Sequence, residues 1–139
     1  MNSICIFGIF VADLCFFSHT IPTRGQTILG TKHLVGPGGK GSNQAIAAAR
    51  LGGDVKFITK LGKDNHAEMA LSLYKNSGME TDAVIQDPNL TTGVAGIMID
   101  EKTGDNIINV VPGAAGDLSN GDIDKKINLI KNSKIFLTQ

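Results

Sequence analysis

Lys40 and Asn43 lie within the run Gly36-Pro-Gly-Gly-Lys-Gly-Ser-Asn-Gln44, a stretch whose residue types and spacing could bind oxygen-rich small molecules. Four glycines in six residues let the backbone turn tightly and let a ligand approach it closely. The following residues, Asn43 to Arg50, are Ala-rich and free of Gly and Pro, which predicts a helix. Its first amide N–H groups have no intrahelical partner and can meet oxygen atoms. Lys40 adds three mobile donors, and the Asn43 amide adds both a donor and an acceptor. An uncharged polyol suits this mix, because each hydroxyl gives and takes hydrogen bonds. Asp13, at the end of the first predicted strand segment, adds a carboxylate that can accept two hydroxyls. In an open α/β sheet, ligands gather at the carboxyl ends of strands. The bland alternatives are a solvated strand-end acid, a solvated loop lysine and an amide that serves the helix backbone.

Spacing separates the common readings of such a loop. A Walker A loop needs Gly, four residues, then Gly-Lys-Ser/Thr. Here Gly41 follows Lys40, and Leu34 stands five before Gly39, so the pattern fails twice. Gly36, Gly38 and Gly41 spell G-x-G-x-x-G, but Pro37 removes an amide from the turn. The next predicted strand ends in Thr59-Lys60, with no acid for a ribose. A small dinucleotide binder is therefore the weaker alternative.

The elements that must position these groups follow from the pattern along the chain. Ser3 to Ile9 is a short apolar run and reads as a buried strand, and Leu14 to Phe17 continues strand-like after Asp13. Pro22 and Gly25 mark a turn, and Thr27 to Val35 reads as a second extended segment. Beyond the glycine loop and its helix, Asp54 to Leu61 reads as a strand. Asp64 is placed to cap a helix over Asn65 to Asn76, with Gly78 just past its end. Thr81 to Gln86, Gly93 to Asp100 and Asn106 to Val111 are strand-like runs without an intervening helix, so antiparallel pairing of these runs, apart from the main sheet or on its edge, is expected. Ser119 opens a polar helix to Lys131, and Lys134 to Leu137 begins another buried strand. The whole reads as α/β.

Composition narrows the function classes. The 139 residues carry 13 basic and 13 acidic groups in no long run, which argues against nucleic acid or an anionic membrane as the main partner. There is no Trp to form a stacking platform. The beginning, Met1 to Phe17, carries Asp13 and lacks a basic start, so it is a poor signal peptide. No apolar run approaches membrane-helix length. Cys5 and Cys15 have no C-x-x-C spacing and read as reduced cysteines of a cytoplasmic protein. His19, His33 and His66 share no metal spacing.

The block Gly38-Gly39-Lys40-Gly41-Ser42-Asn43-Gln44-Ala45, with Gly52 and Gly62 behind it, resembles the first signature of the PfkB family, also called the ribokinase family. Ile4 to Asp13 looks like that family's first strand and sugar-binding Asp. Pro22-Thr-Arg-Gly-Gln-Thr27 looks like its P-x-x-G-E-T segment, with Gln26 in place of Glu. The resemblance covers Met1 to about Gly62 well and the remainder more loosely. It implies a ribokinase-like, doubly wound Rossmann-like sheet, partial in this chain, with a small β lid near residues 14–35 and 81–111. It implies that residues 1–139 are the N-terminal, sugar-binding part of a carbohydrate kinase domain. The expected sugar contacts are Asp13, Gly38, Gly39, Lys40, Gly41 and Asn43. The expected reaction is ATP-dependent phosphorylation of a primary hydroxyl of a sugar or nucleoside-like substrate, with Mg²⁺. The resemblance places the nucleotide site and the catalytic Asp in a C-terminal half absent from these residues, so no catalytic, cofactor or metal residue is assigned here. Val11 stands where ribokinase carries an Asn, a departure that bears on ribose. Lid strands in this family often pair between subunits, so a homodimer through the lid is expected.

Ala114-Ala115-Gly116-Asp117 resembles the family's catalytic segment, but it follows Val110-Val111-Pro112-Gly113 and precedes a polar run. It is read as a loop that matches by chance. The alternative for the chain as a whole is a truncated, non-catalytic remnant or sugar-binding module that gives no kinase turnover alone.

Overall fold

The computed structural model describes residues 3–139; Met1 and Asn2, part of the apolar beginning discussed above, lie outside the described residues. Strand β1 (Ser3–Phe7) is the middle of a parallel sheet. It pairs on one side with β4 (Asp54–Ile58), from Ser3 opposite Asp54 to Phe7 opposite Ile58. On the other side it pairs with β9 (Ile135–Thr138), from Ile4 opposite Ile135 to Phe7 opposite Thr138. Because side chains alternate across a strand, an all-apolar run such as Ile4-Cys-Ile-Phe7 is stable only with cover on both faces.

Both covers exist. Ile4 and Ile6, level with Val55 and Phe57, face helix α1 (Lys40–Arg50) and helix α2 (Asn65–Asn76) through Ala45, Ile46, Ala70 and Tyr74. Cys5, Phe7 and Ile58 face the other way, against Ala83 and against Leu129 and Ile130 of helix α3 (Asn120–Lys131). Tyr74 is fully buried and stands edge-on to Phe57 at 5.5 Å and Phe10 at 6.4 Å between ring centres. Burying one such side chain contributes roughly 1.5–3 kcal/mol, so this aromatic trio is a main weld between α2 and the sheet. The Tyr74 hydroxyl meets the Ser42 hydroxyl at 3.1 Å, which satisfies both groups inside the core. Ser77 Oγ and Thr59 Oγ1 are buried without such a partner.

A second, four-stranded sheet stands apart, in the order β3 (Lys32–Gly38), β2 (Val11–Ser18), β7 (Thr92–Asp100), β8 (Asn106–Gly113). The β2–β3 and β7–β8 pairs are antiparallel, but β2 and β7 run parallel, with Asp13 level with Ala95 and Phe17 with Ile99. The antiparallel β7–β8 pair agrees with the expectation for Gly93–Asp100 and Asn106–Val111, and the parallel β2–β7 pair was not foreseen. Each pair leaves the core by its first strand and returns by its second, so the two outgoing strands meet side by side in the same direction. The sheet is bounded by Val11–Gly38 and Thr92–Gly113, instead of 14–35 and 81–111. Of the run Thr81 to Gln86, only β6 (Ile85–Gln86) is a strand, and it pairs parallel with β5 (Lys60–Leu61).

Three further boundaries differ from expectation. The predicted strand Asp54–Leu61 is interrupted at Thr59, whose carbonyl accepts from Ile85 N–H at 2.9 Å as the chain changes sheets. The segment Thr27–Gly30 is not a strand; pairing with β2 begins at Lys32, opposite Phe17. Helix α1 begins at Lys40, not Asn43, because Gly39 breaks the preceding strand and its carbonyl takes the Asn43 N–H at 2.9 Å. No helix among the described residues is long and apolar enough to cross a membrane.

Candidate functional site

The four-stranded sheet meets the core at two footings, and the sequence-predicted site residues gather at the first. There β1 leads through Gly8, Ile9 and Phe10 into β2, and β3 returns through Gly38 and Gly39 into α1. The two passages touch. Gly8 and Gly41 approach so closely that a Cβ on Gly41 would lie 2.8 Å from Gly8 Cα. Gly39 has φ +93°, a conformation costly for other residues, and a Cβ there would overlap the Ile9 carbonyl oxygen. Ser42 N–H donates to that same oxygen at 3.3 Å. A Cβ on Gly38 would overlap the Asp13 carboxylate, which therefore lies against bare backbone at the end of β3. Glycines 38, 39 and 41 thus bring the beginning of α1 onto the beginning of β2 by backbone contact.

Among the described residues no side-chain hydrogen bond or ion pair involves Asp13, Lys40 or Asn43. Asp13 is half-buried, and burial pushes its carboxyl above the ordinary range. Lys40 and Asn43 are exposed in the first turn of α1, where N–H groups point outward and the helix dipole favours electron-rich atoms. Alternation along the strands puts Cys15, Leu34, Ala95, Ile97, Ile108 and Val110 on the same face of the sheet as Asp13. Burial and the neighbouring Asp13 charge push the Cys15 thiol up, which keeps it a thiol. Asp13 thus lies on an apolar sheet face, and Lys40 and Asn43 stand exposed in the first turn of the helix into which Gly38 and Gly39 lead. They can orient a hydroxylated ligand, with the carboxylate accepting and the ammonium donating.

The second footing lies where β7 leaves the core and β8 returns to it, and there Lys60, Asp64, Asp117 and Asp122 are all paired. The Lys60 ammonium, with its side chain 9% exposed, donates to Asp117 Oδ2 at 2.8 Å, to the Asp117 carbonyl at 3.3 Å and to Asp122 Oδ2 at 3.3 Å. The hydrogen bond to Asp117 raises the Lys60 pKa; burial opposes the rise and Asp122 adds to it. Asp122 also closes a capping box with Ser119, and these bonds hold its carboxyl low. Ala114–Asp117 is a single 3-10 turn ahead of α3, and it opens no apolar helix. The sequence reading missed this cluster, although a lysine inside Phe57-Ile-Thr-Lys-Leu61 signalled a need for acidic partners. Asp64 caps α2 by accepting from Ala67 N–H at 2.9 Å, as its position predicted. It also takes the Thr92 N–H at 2.8 Å, a tie the sequence did not disclose. Burial pushes the Asp64 carboxyl up, but the backbone bonds from Thr92 and Ala67 outweigh it and leave it low.

Other features contribute no chemistry to the first footing. Cys5 and Cys15 are free thiols. His19 lies 3.6 Å from Glu101 at the far end of the sheet. No group of three or more His, Cys, Asp or Glu among the described residues is placed to hold a metal.

The family model described as "pfkB family carbohydrate kinase" matches residues 1–138. The chain is 41% identical over 119 residues to a ribokinase of Bacillus subtilis, a match that spans 86% of this chain and 40% of the relative. A ribokinase structure from Giardia lamblia superposes with a TM-score of 0.90 at 30% identity, covering 99% of this chain and 41% of that one. An Arabidopsis thaliana ribokinase, solved with ribose and ATP, superposes with a TM-score of 0.82 at 29% identity, covering 99% of this chain and 45% of that one. The chain therefore spans about two fifths of the length of the curated relatives it matches. A family match over nearly every residue and a fold shared with a solved ribokinase lead to one conclusion: this chain belongs to the pfkB family of carbohydrate kinases.

Proposed function

We propose that this chain is the acceptor-binding part of a ribokinase-type enzyme that transfers the γ-phosphoryl group of ATP to a primary hydroxyl of a sugar or nucleoside-like substrate. The observation that carries the reading is the contrast in pairing: among the described residues Asp13, Lys40 and Asn43 make no side-chain hydrogen bond or ion pair, whereas Lys60, Asp64, Asp117 and Asp122 at the second footing are all held by such bonds. Asp13 would accept two sugar hydroxyls, Lys40 would donate to a ring or hydroxyl oxygen, and Asn43 would do both. Gly38, Gly39 and Gly41 would let the sugar approach backbone. The four-stranded sheet would act as a lid, excluding water that competes as acceptor. Phosphoryl transfer depends on positioning and charge stabilisation, and this part of the protein supplies the positioning. ATP brings the phosphoryl group, and Mg²⁺ would neutralise charge on it; no residue of this chain is assigned to either. Apolar side chains about half exposed on the face of the lid away from Asp13, Phe16, Val35, Ile107 and Val111, support pairing of two lids in a homodimer.

The test is ATP-dependent phosphorylation by the full-length protein across D-ribose, 2-deoxyribose, fructose and a nucleoside, with the wild type beside Asp13→Asn. Turnover of one of these acceptors, lost in the variant, is the expected result. Turnover that survives Asp13→Asn would remove Asp13 from the site, and absence of turnover with every acceptor would remove the kinase reading.

A further inference from the structure

The second footing has no role in the acceptor contacts above, yet it gathers both passages of the β7–β8 pair onto one short piece of the core. On the outgoing side, Thr92 N–H donates to Asp64 Oδ2 at 2.8 Å, and Gly62 N–H donates to Thr92 Oγ1 at 3.0 Å. On the returning side, Lys60 holds Asp117 and Asp122, and Ala114 N–H donates to the Thr91 carbonyl at 2.8 Å. The passages are pressed together without side chains between them. A Cβ on Gly62 would lie 2.7 Å from Thr92 N, and one on Gly113, at φ +53°, would lie 2.8 Å from Gly93 N. Five consecutive residues, Lys60 to Asp64, therefore hold the incoming and outgoing ends of half the lid.

We propose that Lys60 is a positioning residue for the acceptor: its ammonium fixes the return of β8 to the core, and so sets where the β7–β8 half of the lid stands beside Asp13. The link to the acceptor rests on the kinase reading above; the anchoring itself does not. β7 is hydrogen-bonded to β2, so displacement of the β7–β8 pair is transmitted directly to the strand that carries Asp13. A lysine suits this task because its compact charge can satisfy two carboxylates and a carbonyl from one buried point. Asp117 and Asp122 are the acids that face it, and the shared proton donors of Ser119 keep Asp122 in place.

The experiment is backbone hydrogen exchange on the full-length protein with Lys60→Met, Lys60→Arg and the milder Asp117→Ala, together with D-ribose affinity. In Lys60→Met, amides of β7 and β8 are expected to exchange about tenfold faster, while those of β1 and β4 stay within about twofold. Ribose affinity is expected to fall in parallel by roughly tenfold, and Lys60→Arg to recover most of both. Where Lys60→Met does not fold, Asp117→Ala is read in the same way, with about threefold faster exchange confined to the lid strands. Equal acceleration of core and lid, or none in either, would overturn the anchor. A loosened lid with unchanged ribose affinity would overturn the positioning role. If the wild type binds neither ribose nor another acceptor, the kinase reading fails, and the exchange pattern alone still decides whether Lys60 anchors the lid.

Discussion

The two footings of the lid both bring glycines into close approach, and they treat charge in opposite ways. At the first, burial raises the Asp13 pKa and no protein group answers it. At the second, Asp64 and Asp122 are held low by backbone and hydroxyl donors, and Lys60 is held high by Asp117. A carboxylate shifted up opposes folding when ionised; carboxylates shifted down support it. The first footing thus gives up stability where a ligand can restore it, and the second spends its polar groups on holding the chain. Pairing, more than residue type, separates a site from a joint.

The sharpest way to break this contrast is Asp13→Asn. Loss of a charged acceptor for two hydroxyls is expected to lower kcat/KM for the sugar by about 100-fold or more, at roughly 1.5–3 kcal/mol per charge-assisted bond. The melting temperature is expected to hold or rise, because the variant removes a charge that folding disfavours. A drop in melting temperature with activity intact would reverse the assignment of the two footings. Gly38→Ala tests the same point from the backbone side. Its Cβ would overlap the Asp13 carboxylate and must displace it, so a smaller loss of acceptor affinity, about tenfold, is expected.

Asp64→Ala is the matching test at the second footing. It removes the α2 cap and leaves the buried Thr92 N–H without its acceptor, so a loss of about 2–3 kcal/mol in unfolding free energy is expected, measured by urea denaturation. The same residues predict an acid limb. Asp64 and Asp122 have folded pKa values below the ordinary carboxylate range, so their stabilisation is fully present above about pH 4 and is lost as pH falls through the folded values. Asp13 works in the opposite sense: its contribution is present at low pH and lost as pH rises through its raised value. Melting temperatures taken from about pH 5 down to 2 should fall less steeply in Asp64→Ala than in the wild type. Parallel curves would mean that Asp64 is not held low.

How much of this was legible in the sequence depended on range. The α/β rhythm, the glycine turn, the Asp64 cap and the helix from Ser119 were readable because each is set by residues within one or two turns of chain. The parallel β2–β7 pair was not, since direction across a sheet depends on how two distant hairpins leave the core. The helix start at Lys40 was missed because Gly41 argued against helix, whereas the break at Gly39, with its positive φ, is set by contact with Ile9 some 30 residues away. At the site, the motif order placed Asp13 and the glycine loop in one family pattern, and the structure puts Asp13 against Gly38. The Lys60 cluster was signalled only as a charge in an apolar run; its partners, at 57 and 62 residues' separation, were beyond pattern.

The smallest effect sharpens the comparison most finely. Ser42 is the buried neighbour of the exposed Asn43, and its hydroxyl meets Tyr74 in the core. Tyr74→Phe removes that bond while keeping the ring against Phe10 and Phe57, so a loss of about 1 kcal/mol is expected. Burial drives the Tyr74 phenol above its ordinary pKa, partly offset by Ser42, so the ring is neutral throughout the working range and the variant changes no charge. If the bond serves only to satisfy two buried groups, stability falls and acceptor affinity stays. If it also fixes the first turn of α1, which carries Lys40 and Asn43, affinity falls with it. Ligand titration of Tyr74→Phe beside its denaturation curve separates a packing role from one that reaches the site.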